Sequence, residues 1–114
     1  MPIKRKATRD VVVVLSDTKP SASVWDVACK YRDAGVLHAG YHYLITADGD
    51  VHAGRDKHTV GNYRPDLNAT SVFIEVTGRK HSDLTEAQHA AIAALTERLT
   101  DYHFHEADVL DLTL

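Results

Sequence analysis

The chain has 114 residues, 44% of them apolar and 25% charged, with a formal net charge of −3. That length supports one hydrophobic core and excludes two. No apolar run approaches the ~20 residues of a membrane helix, and the N-terminus MPIKRKATRD lacks the apolar stretch that directs export.

Cys29 is the single cysteine, which excludes an internal disulfide and suits a reducing compartment. Lys4, Arg5, Lys6 and Arg9 place four of the 13 basic residues within the first nine positions; the other nine face 16 acidic residues, a balance of −7. The chain therefore divides into a basic arm, 1–9, and a single acidic domain, 10–114. Such an arm either docks on an acidic partner or is a solvated terminus. An acidic body argues against binding a nucleic-acid backbone.

The first strand is expected over Asp10–Leu15, and its valine run, apolar on both faces, predicts a central position covered on both sides. The turn SDTKPS follows. Ser21 or Ser23 can cap a helix reaching about Ala34, with Val24, Val27, Ala28 and Tyr31 on one stripe and Gly35 as its stop. Tyr41–Thr46 and Val51–Gly54 flank the turn Ala47-Asp48-Gly49-Asp50, a hairpin signal. Residues 55–70 read as a long polar loop of the kind that shapes clefts. Ser71–Thr77 is a further strand, ended by Gly78. Thr85-x-x-Gln88 is a capping box opening a helix that carries Ala91, Ile92, Leu95, Leu99 and Tyr102 at helical spacing. A last short strand is expected over Val109–Leu114. Strands and helices interleave, so the class is α/β: a central mixed sheet of about five strands flanked by helices.

No nucleophile elbow, phosphate loop or dinucleotide fingerprint is present. Eight histidines raise the question of a metal, yet none forms HExxH and no second cysteine completes a zinc knuckle. His103 and His105 would share one face of an extended segment, but a two-histidine chelate still needs a third ligand. His81 and His89 read as surface residues. His42 suits a structural hydrogen-bonder as well as a catalyst. Cys29, mid-helix, reads as a small packing residue.

The stretch GYHYLITADGDVHAGRD (40–56) resembles the Gly-Tyr-His-Phe strand and glycine-arginine hairpin of the zinc N-acetylmuramoyl-L-alanine amidases. It is most similar to the small phage lysozyme-type members, relatives of the peptidoglycan recognition proteins. The likeness runs on through VGNYRPDLNATSVFIEVTG (60–78) and LTEAQ (84–88), and upstream SDTKPS (16–21) resembles the family's first turn. The resemblance implies the family's fold, and a cleft built from Val14, Tyr41, Tyr63, Asn68, Phe73 and Thr113. It also implies a zinc held by two histidines and a cysteine, activating water to hydrolyse the bond between muramic acid and L-alanine.

Against that pattern the zinc ligands are expected to be missing. The first zinc histidine falls on Val14. The second falls on Thr113 if Val109–Leu112 is the last strand, or on Phe104 if His105-Glu106 matches the family's His-Glu. In either alignment the cysteine and a catalytic lysine of the phage enzymes find no counterpart. Tyr41 matches the active-site tyrosine. Phe73 replaces a cleft glycine, Tyr63 a cleft histidine, and Glu75 adds a carboxylate beside Phe73, readable as a solvated charge.

The expectation is a metal-free, non-catalytic amidase fold of phage or prophage origin, with no cofactor, working in the cytoplasm of the bacterial host. The resemblance also supplies a partner class, because some phage amidases bind and inhibit a single-subunit RNA polymerase. A host defence factor is a further candidate, with Lys4, Arg5, Lys6 and Arg9 as the contact. The alternatives are a peptidoglycan- or muropeptide-binding module, and an amidase whose metal site is rebuilt on His42, His103 or His105.

Overall fold

The computed structural model describes residues 3–4, 6, 8–35, 40–62, 65–102 and 108–112, those of 100–102 and 108–112 as backbone only. Arg5, Tyr63, His103, Phe104, His105 and Thr113, singled out above, lie outside them.

Strand β1, Asp10–Leu15, is buried along five of its six residues. It pairs in parallel with β4 (Ser71–Val76) on one side and β5 (Asp108–Leu112) on the other. Strand β2, Tyr43–Ile45, joins the outer edge of β4 in parallel and takes β3, Val51–Ala53, as an antiparallel hairpin partner. The result is a mixed five-stranded sheet in the order β3-β2-β4-β1-β5. The valine run thus occupies the interior position its two apolar faces require.

Each face of that run has its own cover. Val11, Val13 and Leu15 join Val72, Ile74 and Val76 beneath helix α2, Glu86–Tyr102, which contributes Leu95 and Leu99. Val12 and Val14 point the other way, into a cluster with Phe73 and Leu67. Helix α1, Val24–Asp33, covers the neighbouring part of that second face through Val27, Val24 and Tyr31 against Tyr41 and Leu44. Ala28, expected on this stripe, is exposed. Val24, Val27 and Tyr31 suffice because α1 is short and lies over only part of the sheet.

The caps are local. Ser23, not Ser21, begins α1: its hydroxyl accepts from the Asp26 N–H at 3.1 Å while Asp26 accepts from the Ser23 N–H at 2.9 Å, a reciprocal capping box. Gly35, at φ 82°, takes the left-handed conformation just past the helix end. Thr85 and Gln88 make the equivalent box for α2, at 3.0 and 3.1 Å. Gln88 is fully buried, and its amide also donates to the Ile45 and Thr77 carbonyls, both at 3.2 Å. That binds α2 to the ends of β2 and β4 by polar bonds as well as by apolar packing.

The arm is not a detached terminus at the positions described. Lys4 bridges Thr59, the Val60 N–H donates to the Ile3 carbonyl at 2.7 Å, and the Arg9 N–H to the Thr70 carbonyl at 2.7 Å. Backbone bonds to the 55–70 loop fix its course, while Lys4, Lys6 and Arg9 remain exposed. No helix among the described residues is long and apolar enough to cross a membrane.

Candidate functional site

The family resemblance directs attention to the sheet face covered by α1. There Val14, 2% exposed, lies in register between Glu75 of β4 and Leu112 of β5. Glu75 in turn stands between Val14 and Leu44. Its carboxyl is buried at 1% exposure and accepts a hydrogen bond from the Tyr31 hydroxyl of α1. The expectation of a solvated charge at Glu75 is therefore wrong. Strand alternation turns this residue inward beside Phe73, and the Tyr31 phenol supplies the partner that a buried carboxylate needs.

Tyr41 sits against this pair. Its ring lies 6.3 Å from that of Tyr31, tilted by 49°. Burial, and secondarily the charge of Glu75, raise the Tyr41 phenol above its ordinary pKa, so it is protonated at neutral pH and able to donate. Gly54 makes this position possible, since a Cβ there would come within 2.6 Å of the Tyr41 ring.

Phe73 is fully buried among Val12, Val14 and Leu67. It stacks on His42 with ring centroids 6.1 Å apart and planes 7° from parallel, and packs so closely on Gly61 that a Cβ there would lie 2.4 Å from the ring. Both ring nitrogens of His42 are committed. Nδ1 accepts from the Phe73 N–H at 2.9 Å and Nε2 donates to the Thr59 carbonyl at 2.7 Å. His42 is thus a neutral strut joining β4 to the loop, which decides between the two roles open from sequence. Asn68 lies half-buried in a 3-10 turn, Asn68–Thr70, leading into β4.

The turn after β1 is held firmly. Lys30 of α1 donates to the Ser16 carbonyl and, at 3.3 Å, to that of Asp17, whose φ of 56° is left-handed. Ser16 and Thr18 hydroxyls are 2.5 Å apart, and the Thr77 hydroxyl donates to the Pro20 carbonyl at 3.2 Å. Of the side chains predicted from sequence, Val14 and Phe73 pack in one cluster and Tyr41 in a separate one with α1, with Asn68 near the start of β4. Tyr31 and Lys30 were missed as members; the α1 stripe held the signal for Tyr31, and nothing in the sequence marked Lys30.

A zinc of the family type needs lone pairs at fixed places. Val14 has none, His42 has both nitrogens in use, and Glu75 is bonded to Tyr31. Among the described residues no group of three His, Cys, Asp or Glu side chains could hold a metal. The described donor set does not fit that centre. His81 and His89 are exposed, with rings 5.7 Å apart on the α2 side of the chain.

Comparisons with known proteins agree with this geometry in fold. The chain is 34% identical over 104 residues to the endolysin of Klebsiella phage KP32, covering 84% of this chain and 69% of that protein. Across the curated relatives it spans 66–69% of their length. The solved endolysin of the Thermus scotoductus bacteriophage Ph2119 superimposes with a TM-score of 0.82 at 18% identity, covering 96% of this chain and 73% of that one. The ectodomain complex of peptidoglycan recognition proteins LCa and LCx, solved with tracheal cytotoxin, gives 0.76 at 20% identity, covering 97% and 74%. The family profile of N-acetylmuramoyl-L-alanine amidases matches residues 6–110, nearly the whole length, and to that family the chain belongs.

Proposed function

We propose that this amidase-family domain recognises peptidoglycan fragments without hydrolysing them through the family's zinc centre. Val14 carries the reading. The resemblance aligns it with the first zinc histidine; its isopropyl group is buried, and its register position lies between those of Glu75 and Leu112. A metal-activated water requires a held metal before any chemistry follows. Peptidoglycan as ligand is supported by family membership and by the shared fold with recognition proteins. Tyr41, which the resemblance aligns with the family's active-site tyrosine, is held protonated at neutral pH.

The test is co-sedimentation with insoluble peptidoglycan at low and moderate salt, with soluble muropeptide as competitor. Saturable retention displaced by muropeptide is expected. No retention at low salt would overturn the proposal.

A second reading, a regulator bound to another protein such as an RNA polymerase or a host defence factor, draws on one observation. Lys4, Lys6 and Arg9 are exposed on an arm whose backbone is fixed to the domain, which presents their charge at a defined place. Neutralising those three residues would abolish partner capture on this reading and leave peptidoglycan retention unchanged on the first.

A further inference from the structure

An open groove lies apart from the buried cluster around Val14 and Phe73. It spans about 530 Å3 between the segment entering α1, 21–25, and the turn joining β2 to β3, with His52 at its side. Its volume falls within the range of small-molecule sites. We propose that this groove binds the pyranose ring of an N-acetylated amino sugar, with Trp25 as the stacking platform. The identity of the ligand, a sugar of the peptidoglycan glycan strand, rests on the function proposed above.

Trp25 is 68% exposed, although it is the largest side chain of α1 and belongs to the first turn of a helix that buries Val27. An indole left in water on the rim of a groove is an apolar surface available for a ligand. Ala22, Val24 and Ala47 continue this apolar wall, and Ser21, Asp48 and Asp50 put hydroxyl and carboxylate groups along the same groove. A pyranose has matching faces: carbon-bound hydrogens for the indole and hydroxyls that donate to carboxylates. Asp48 is suited to accept. The hydrogen bonds from the Thr46 hydroxyl at 2.6 Å and the Asp50 N–H at 3.1 Å fix its carboxyl and hold its pKa below the ordinary value, so it stays ionised.

The competing ligand for an aromatic ring beside carboxylates is a cation. Here the indole already has the Arg32 guanidinium 5.8 Å from its ring centroid. The attraction of its π-face for positive charge is met from within the chain, and the small apolar residues of the wall favour a ring over a point charge.

Trp25 is the sole tryptophan of the chain, so its emission reports on this groove directly. The experiment is titration with triacetylchitotriose and, in parallel, with the sugar-free tripeptide L-Ala-D-Glu-L-Lys. A saturable emission change is expected with the chitotriose and none with the tripeptide. Calorimetry on Trp25→Ala should show binding weakened about fivefold to tenfold, and Trp25→Tyr should restore most of it. No saturable change with chitotriose, an equal response to the tripeptide, or undiminished binding by Trp25→Ala would overturn the proposal. If chitotriose fails while the protein still sediments with peptidoglycan, only the groove assignment falls. If chitotriose binds and peptidoglycan is not retained, only the functional reading falls.

Discussion

Replacing Tyr31 with phenylalanine removes one oxygen and leaves the Glu75 carboxyl, 1% exposed, without the phenol that donates to it. The ring itself still packs against Tyr41, so little apolar burial is lost. A hydrogen bond to a charged group is worth about 1.5–3 kcal/mol. Tyr31→Phe is therefore expected to destabilise the domain by about 2 kcal/mol, which for a chain of this size lowers Tm by roughly 6–12 °C. Urea unfolding of wild type, Tyr31→Phe, Glu75→Gln and the double variant makes a thermodynamic cycle. A coupling of about 1 kcal/mol or more between the two sites is expected, since the phenol has less to stabilise once the carboxylate is an amide. Tyr31→Phe within about 0.5 kcal/mol of wild type, the range of an ordinary surface substitution, would refute the reasoning, as would strictly additive effects.

Gly61→Ala should cost about 1–3 kcal/mol, because its methyl group would lie 2.4 Å from the Phe73 ring; Phe73→Leu in the same chain should recover part of that loss, read by urea unfolding. Ser23→Ala should cost about 1 kcal/mol as the α1 cap is lost. The Asp26 carboxyl, held below its ordinary pKa by the backbone and side-chain bonds to Ser23, contributes stability present above pH 3.8 and lost as pH falls through the lower folded value. Asp26→Asn should thus flatten the acid limb of a Tm-against-pH curve. Tyr41 is the reverse case: its raised pKa means that its contribution is intact below about pH 10 and lost as pH rises through the folded value. Tyr41→Phe should soften alkaline unfolding, followed by phenolate absorbance.

The fold was legible because its strongest signals were local and redundant. The valine run needed cover on two faces and received it, and Thr85-x-x-Gln88 formed the box its spacing announced. The hairpin turn was equally plain, although β2 and β3 proved shorter than the sequence suggested; the Tyr41 and His42 backbones still bond to the neighbouring segments beyond the end of β2. What sequence could not supply was pairing across distance. Glu75 and Tyr31 are 44 positions apart, and a carboxylate on a strand reads as solvated until the helix above it is placed. The arm escaped for the same reason: its anchors are backbone groups of Thr59, Val60 and Thr70, which carry no side-chain signature. Trp25 gave no signal of its own, since its exposure depends on where α1 lies over the sheet.

The reading of Val14 as the seat of a missing ligand meets its most direct test in zinc-dependent hydrolysis. Purified protein is incubated with peptidoglycan in the presence of zinc, and newly exposed L-alanine amino termini are quantified alongside the fraction of protein retained. Retention with no zinc-stimulated rise in amino termini is the expected result. Release of stem peptides that grows with zinc and ceases on chelation would contradict it, and would mean that a metal is held by residues other than Val14, His42 and Glu75.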